Sequence, residues 1–389
     1  MRYRKSALSF AALTVVNLSL LVGCGYYPAV PKPPTGTTPP PSGPGTPPVQ
    51  SLLITQAGYW AAAVNPVTNM EYVINDDGTM SVINGATNTL TSTVQLGSTP
   101  YALALNVETN LIYVTTPSNN TLLVIDGTTN TVTATVMVGD VPGNLVVNPA
   151  TNTIYVGDMT SSMVTVVSGA NNAIAANVAV GAGNLALAVN TVSNVVYVAS
   201  EQAGTMSVIN GATNAVTATV PVGAYPLGVA VNATTNTVYV TNSNSFTMSV
   251  INGNTNAVTA TVPVGYVPGS IAVNPVTNTI YVANLDASSV SVINGETNAV
   301  TATVPVGNTP VAVAVNTTTN TVYTTNYKSS SVSVISGATD AVTSTVPVTG
   351  SPEALAVNSD TGMICIGIAG TNAASIINGA TNTVAAAIN

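Results

Sequence analysis

The sequence predicts an all-β protein built as a ring of eight four-stranded sheets, and three observations predict it. A glycine in an Asn-Gly-type turn returns every 42 residues, at Gly85, Gly127, Gly169, Gly211, Gly253, Gly295, Gly337 and Gly379. A tyrosine keeps the same step at Tyr72, Tyr113, Tyr155, Tyr197, Tyr239, Tyr281 and Tyr323, with Cys365 in the eighth place and one residue missing from the first copy. The composition fits: 46% of residues are hydrophobic and only 5% charged, so Asn, Thr and Ser must supply most of the water-facing surface.

The copy that begins at Pro268 shows what each period contains. Four short runs rich in Val, Ile, Thr and Tyr, namely SIAVN from Ser270, TIYVAN from Thr279, VSVING from Val290 and AVTATVPV from Ala299, read as strands a, b, c and d. Asn274-Pro275-Val276-Thr277-Asn278 connects a to b, and Asn294-Gly295-Glu296-Thr297-Asn298 connects c to d. Loops this short force neighbouring strands to pair antiparallel. Four antiparallel strands at a period of about 40 residues are the blade of a β-propeller. A transmembrane barrel would need strands of about 9 to 11 residues, and a parallel β-helix would not use Asn-Gly hairpins. The TIYVAN segments resemble the YVTN repeat of propellers in bacterial and archaeal surface proteins, and the likeness runs from Val49 to Asn389.

Counting gives eight blades, with seven blades plus an irregular terminal copy as the alternative. Val49 to Thr55 and Thr383 to Ile388 both align with strand d, so either can complete the last blade. Pairing both termini in one sheet would remove an exposed edge.

Ahead of the repeats, Arg2, Arg4 and Lys5 form a basic region and Ala7 to Leu21 an apolar one, the pattern of a signal sequence. Leu21-Val22-Gly23-Cys24 resembles the lipobox of bacterial lipoproteins. The resemblance implies cleavage after residue 23 and acylation of Cys24, so that the chain divides into a signal peptide (1–23), a lipidated cysteine and linker (24–48) and a propeller (49–389). It also implies a membrane partner held through the lipid on Cys24, since each buried methylene contributes about 0.8 kcal/mol. Gly25, where Asp would signal inner-membrane retention, favours the outer membrane or cell surface. Ten prolines among residues 25–48 make an extended tether at about 3.1 Å per residue.

Processing would leave Lys32 and Lys328 against thirteen acids, a net charge of −11. Nucleic acid is thereby excluded as a partner, because binding it rests on Lys and Arg. With Cys24 acylated, Cys365 has no disulfide partner.

In a four-strand meander the a–b and c–d turns share one face of the ring, and the b–c and d–a loops share the other. The first face repeats almost unchanged, and its Asn and Gly residues are expected at positive φ. The second differs in every copy, and loops carry recognition. Its candidate ligand-binding residues are Trp60, Asp76, Asp77, Tyr101, Asp140, Asp158, Glu201, Tyr225, Phe246, Tyr266, Asp286, Tyr327 and Glu353. Aromatic rings beside Asn and Asp can stack on and hydrogen-bond a glycan, a peptide or an envelope protein. Asp76-Asp77 resembles a fragment of a calcium loop but lacks the spaced ligands a hard cation needs, so no metal site and no cofactor is assigned. The tyrosine column reads as core, and Cys365 as a small buried hydrophobe in that column.

Absent residues argue against catalysis. The chain has no His, and the part after residue 23 has no Arg, which removes the usual general base, the commonest metal ligand and the bidentate anion clamp. YVTN repeats resemble those of propeller lactonases and quinoprotein dehydrogenases, whose sites draw on His, Arg or Lys. The expectation is a binding module rather than an enzyme. A structural envelope scaffold is the second reading. A carboxylate-dependent hydrolase is the third, and it requires two acids close together with perturbed pKa values.

Overall fold

The computed structural model describes residues 61–183 and 185–388. The signal sequence, Cys24, the linker and Trp60 lie outside the described residues. Thirty-two strands form eight separate four-stranded sheets, each a simple antiparallel meander in chain order. The blades span Ala62–Gln95, Ala102–Met137, Pro142–Ala179, Leu185–Pro221, Pro226–Pro263, Pro268–Pro305, Pro310–Pro347 and Ser351–Ile388. In the sixth, strands a to d are Pro268–Asn274, Thr279–Asn284, Ser289–Asn294 and Ala299–Pro305.

First strands of neighbouring blades pack against one another all round the ring, including those of blades 8 and 1, whereas fourth strands barely meet. Strand a therefore lines the centre and strand d the rim. Burial follows: strand b of blade 6 is buried after its first residue, while strand d is exposed at most positions. A strand covered on both faces needs a continuous apolar run, which is why Ile280-Tyr281-Val282-Ala283 does not alternate. A register shift between strands c and d, at Val292/Ile293 in blade 6 and at the matching place in every other blade, adds the twist a blade needs.

The cores lie between blades. Tyr72 packs with Leu103, Ile112 and Ile125 of the next blade, and all seven column tyrosines are at most 1% exposed. Burial pushes the phenols of Tyr72, Tyr113 and Tyr281 up to about 12.

A second repeated contact ties the blades together. The asparagine ending strand a accepts from its own turn, as Asn274 Oδ1 does from Val276 N–H at 3.0 Å, and its Nδ2 donates to the a–b turn asparagine of the next blade, here Asn320 Oδ1 at 2.8 Å. The same latch joins Asn65 to Asn110, Asn106 to Asn152, Asn148 to Asn194, Asn190 to Asn236, Asn232 to Asn278 and, across the closure, Asn358 to Asn69. Only between blades 7 and 8 does Gly362, at φ 73°, stand where the accepting asparagine would be.

One expectation is corrected. The turn glycines do not hold the positive φ; the last residue of the turn does, as at Asn298 with φ 56°. Glycine is required instead by close approach, because a Cβ at Gly295 would sit 2.5 Å from Asn278 Oδ1 and 2.7 Å from its carbonyl oxygen. Of the two segments that align with strand d at the closure, Thr383–Ile388 completes blade 8, while Val49–Thr55 lies outside the described residues; blade 8 packs against Ala62, Val64, Val73 and Ile83 of blade 1.

Candidate functional site

The face formed by the b–c and d–a loops is built on main-chain bonds. The b–c loop ends on a left-handed residue, Gly78, Asn120, Ser162, Gly204, Phe246, Ser288 or Ser330. Its carbonyl accepts from the N–H that follows strand d of the same blade: Leu96, Val138, Val180, Val222, Val264, Val306 or Val348. In the d–a loop, Val141, Tyr225, Val267 and Thr309 are also left-handed, and their carbonyls accept from the N–H groups of Met159, Ser243, Leu285 and Tyr327. Neither bond uses a side chain. These bonds therefore place no demand on the loop side chains, which is the physical reason this face differs from copy to copy, although the left-handed backbone holds the last b–c position to Gly, Ser or Asn in the other blades that share the slot of Phe246.

Beneath these loops lies a polar floor that the sequence reading counted as loop. Asn242 Oδ1 accepts from Gly223 N–H at 3.0 Å while its Nδ2 donates to Thr247 and Ser249. Asn284 does the same with Gly265, Ser289 and Ser291. The recurrence of Asn at the end of strand b, beside Ser-x-Ser or Thr-x-Ser on strand c, was the available signal.

Four of the seven candidate acids fall into two pairs, Asp140 with Asp158 and Asp76 with Glu353. Asp158 occupies the floor position held by Asn75, Asn242, Asn284 and Asn326 in four other blades and is 1% exposed. It accepts from Ser161 Oγ at 3.1 Å and Thr165 Oγ1 at 3.4 Å, but its Oδ1 has no hydrogen-bond partner. Burial, with the nearby Asp140 adding a smaller push, raises its carboxyl to about 6. Asp140 itself is exposed and accepts from Asn120 Nδ2 and Thr160 Oγ1. Glu353, read as loop, lies on strand a of blade 8 and is the sole ionisable side chain on the eight innermost strands. Burial raises it to about 7, and the half-buried Asp76 of blade 1 contributes to the rise. Asp77 is committed to structure: it accepts from Thr79 N–H at 3.1 Å and from Asn372 Nδ2 of blade 8 at 2.8 Å. Glu201, half-buried, and Asp286, exposed, stand on blades 4 and 6. Tyr327 is half-buried, and Tyr101, 8% exposed, lies in the core between blades 2 and 3. No group of three or more His, Cys, Asp or Glu able to hold a metal occurs among the described residues.

Glu71 escaped the sequence reading. It sits on strand b where the other blades carry Ile112, Ile154, Val196, Val238, Ile280, Val322 and Ile364. It is fully buried, and burial lifts its carboxyl to about 7, an interaction with the Cys365 thiol offsetting part of the rise. Burial and the adjacent Glu71 charge push the Cys365 thiol well above its ordinary range, so it is not a thiolate nucleophile.

The geometry and the repeat meet in one comparison: residues 153–384 match the model of the YNCE-like beta-propeller family. The chain belongs to that family. No curated protein matches it. Among solved structures it is similar to Kuenenia stuttgartiensis hydrazine synthase, with 16% identity, 71% of this chain and 94% of that one covered and a TM-score of 0.60. It is also similar to the dihydro-heme d1 dehydrogenase NirN in complex with DHE, with 12% identity, 83% and 73% coverage and a TM-score of 0.70. At these identities the likeness is one of fold.

On this YNCE-like propeller the exposed aromatics among the described residues gather at one blade. Tyr225, Phe246 and Tyr266 are 44%, 39% and 55% exposed, and they lie in the loop before blade 5, in its b–c loop and in the loop after it. The rings of Phe246 and Tyr266 meet edge to face with centroids 5.0 Å apart.

Proposed function

We propose that this YNCE-like propeller is an exported lipoprotein, held to the cell envelope through Cys24, that acts as a binding module through its b–c and d–a loop face. The observation that carries the reading is the confinement of side-chain variety to loops whose frame is made of main-chain bonds. Such a frame keeps its shape while its side chains change, which suits recognition. A scaffold without a ligand has no need of exposed aromatic rings on that face.

The test is a screen of the full chain against glycan and envelope-protein panels, beside a variant in which every b–c and d–a loop is replaced by one consensus loop. Binding lost in the variant supports the module; binding absent from both, or equal in both, transfers the role to a scaffold. For the anchor, Cys24→Ala is expected to release the protein from the membrane fraction and abolish incorporation of labelled fatty acid.

One observation favours a second reading. Glu353 and Asp76 are neighbouring acids with one carboxyl raised to about 7, the arrangement a carboxylate-dependent hydrolase uses. A hydrolytic activity lost in Glu353→Gln would support it, and the absence of turnover on glycosidic and ester substrates would exclude it.

A further inference from the structure

We propose that Tyr225, Phe246 and Tyr266 form a stacking platform for a neutral saccharide, an assignment that rests on the variable-face reading above. Two of the three rings are kept at a conformational cost. Phe246 has φ 55° and Tyr225 φ 54°, in the left-handed region that a bulky side chain enters only with strain. The slot of Phe246 holds Gly, Ser or Asn in the other blades that share it, whereas that of Tyr225 also takes Val141, Val267 and Thr309, so Phe246 is the ring that departs from its slot. Neither ring regains that cost by core burial, since both are exposed. Strained, exposed rings held by a rigid surround point to a ligand.

The surround is rigid. Ser243 N–H donates to Tyr225 O at 2.8 Å, Asn244 N–H to Ala224 O at 3.2 Å and Val264 N–H to Phe246 O at 3.0 Å. Ala224 N–H donates to Ser245 Oγ at 2.7 Å. Three loops are thus joined into one preorganised strip, which lowers the entropic cost of binding. An edge-to-face pair leaves ring faces open for the CH faces of a sugar.

Charge selects the ligand. The loops 223–226, 242–247 and 264–268 contain no acid and no base other than the tyrosine phenols. An ionic ligand would find no partner there, whereas hydroxyl groups find the exposed Asn244 amide. Beside Tyr266 an open groove of about 480 Å³, lined by Pro263, Ser288, Val300, Thr303 and Pro305, continues the same mixture of apolar surface and hydroxyls. Its volume lies within the roughly 300–1,000 Å³ of small-ligand clefts.

The test is calorimetric titration of the full chain with cellohexaose, xylohexaose, maltohexaose and chitohexaose at low and high salt. At least one should bind, with an affinity that salt leaves unchanged. Phe246→Gly, Tyr225→Gly and Tyr266→Ala should each weaken it roughly tenfold. The two glycine variants should unfold at the same or a higher temperature, because they relieve the left-handed strain. Binding by none of the four sugars, or equal binding by a Phe246→Gly/Tyr266→Ala double variant, would overturn the proposal. A proline-rich peptide that binds in place of the sugars and is lost from that double variant would overturn the saccharide and leave the variable face standing. Binding of every panel member that survives replacement of all the b–c and d–a loops would overturn both.

Discussion

The two faces of the ring hold the tips of their loops in different ways. On the face of the a–b and c–d turns the frame runs through side chains: Asn274 to Asn320, Asn232 to Asn278 and their counterparts, with glycines pressed against the same asparagines. On the other face the asparagine floor of Asn242 and Asn284 is held by side chains too, but the loop tips above it are held through the main chain at Val264 to Phe246, Val306 to Ser288 and the rest. Side-chain contacts dictate the sequence, and main-chain contacts at the tips release it. Repetition on one face and variety at the tips of the other are two consequences of one architecture, and binding belongs to those tips.

That contrast can be broken most severely by overpacking the repeated face. Gly295→Val should destabilise the fold by about 3 kcal/mol, because its side chain must displace the Asn278 turn, whereas Phe246→Gly on the variable face should not lower the melting temperature. Equal losses from both would remove the distinction.

The closure sharpens it next. Junction 8–1 carries Glu71 and Cys365 where the other junctions carry an aliphatic residue and a tyrosine. A carboxyl whose folded pKa of about 7 lies above its ordinary 4.5 binds more protons in the folded state. Its contribution is full below about pH 4.5 and is lost as the pH rises to 7, about 3 kcal/mol in all. Glu353, raised from 4.5 to about 7, and Asp158, raised from 3.8 to about 6, act in the same direction. Denaturant unfolding should therefore show stability falling between pH 4 and 7. The double change Glu71→Ile and Cys365→Tyr should make the profile shallower, leaving the part due to Glu353 and Asp158, and restore the ordinary junction, whereas a profile unchanged in that variant would show that Glu71 does not contribute to it.

The smallest effect is a gain. A Cβ at Gly362 meets nothing within 4 Å, and asparagine tolerates its positive φ. Gly362→Asn should supply the missing latch from Asn316 and add about 1 kcal/mol, read as a higher melting temperature with unchanged binding.

These cases mark what the sequence could disclose. Periodicity exposed the elements the blades repeat, namely the four strands, the tyrosine column and the turn asparagines, but not the latch those asparagines make from blade to blade. It misassigned the reason for the glycines, because close approach and positive φ leave the same residue in a sequence. It placed Glu353 in a loop, since a strand's first residues look like the loop before it, and it read Tyr101 as surface although that loop residue turns into the core. Glu71 was invisible because its meaning lies in Cys365, which comes beside it only when the ring closes. Of the candidate site, the three aromatics of blade 5 were legible as residues, but their convergence and backbone strain were not.

The most direct test of the account compares two variants matched for melting temperature, one with every b–c and d–a loop set to consensus and one with the exposed turn residues Thr277, Glu296 and Thr319 replaced on the opposite face. Binding of the panel ligands should vanish in the first and persist in the second. Binding that persists in the first, or is lost only in the second, would contradict it.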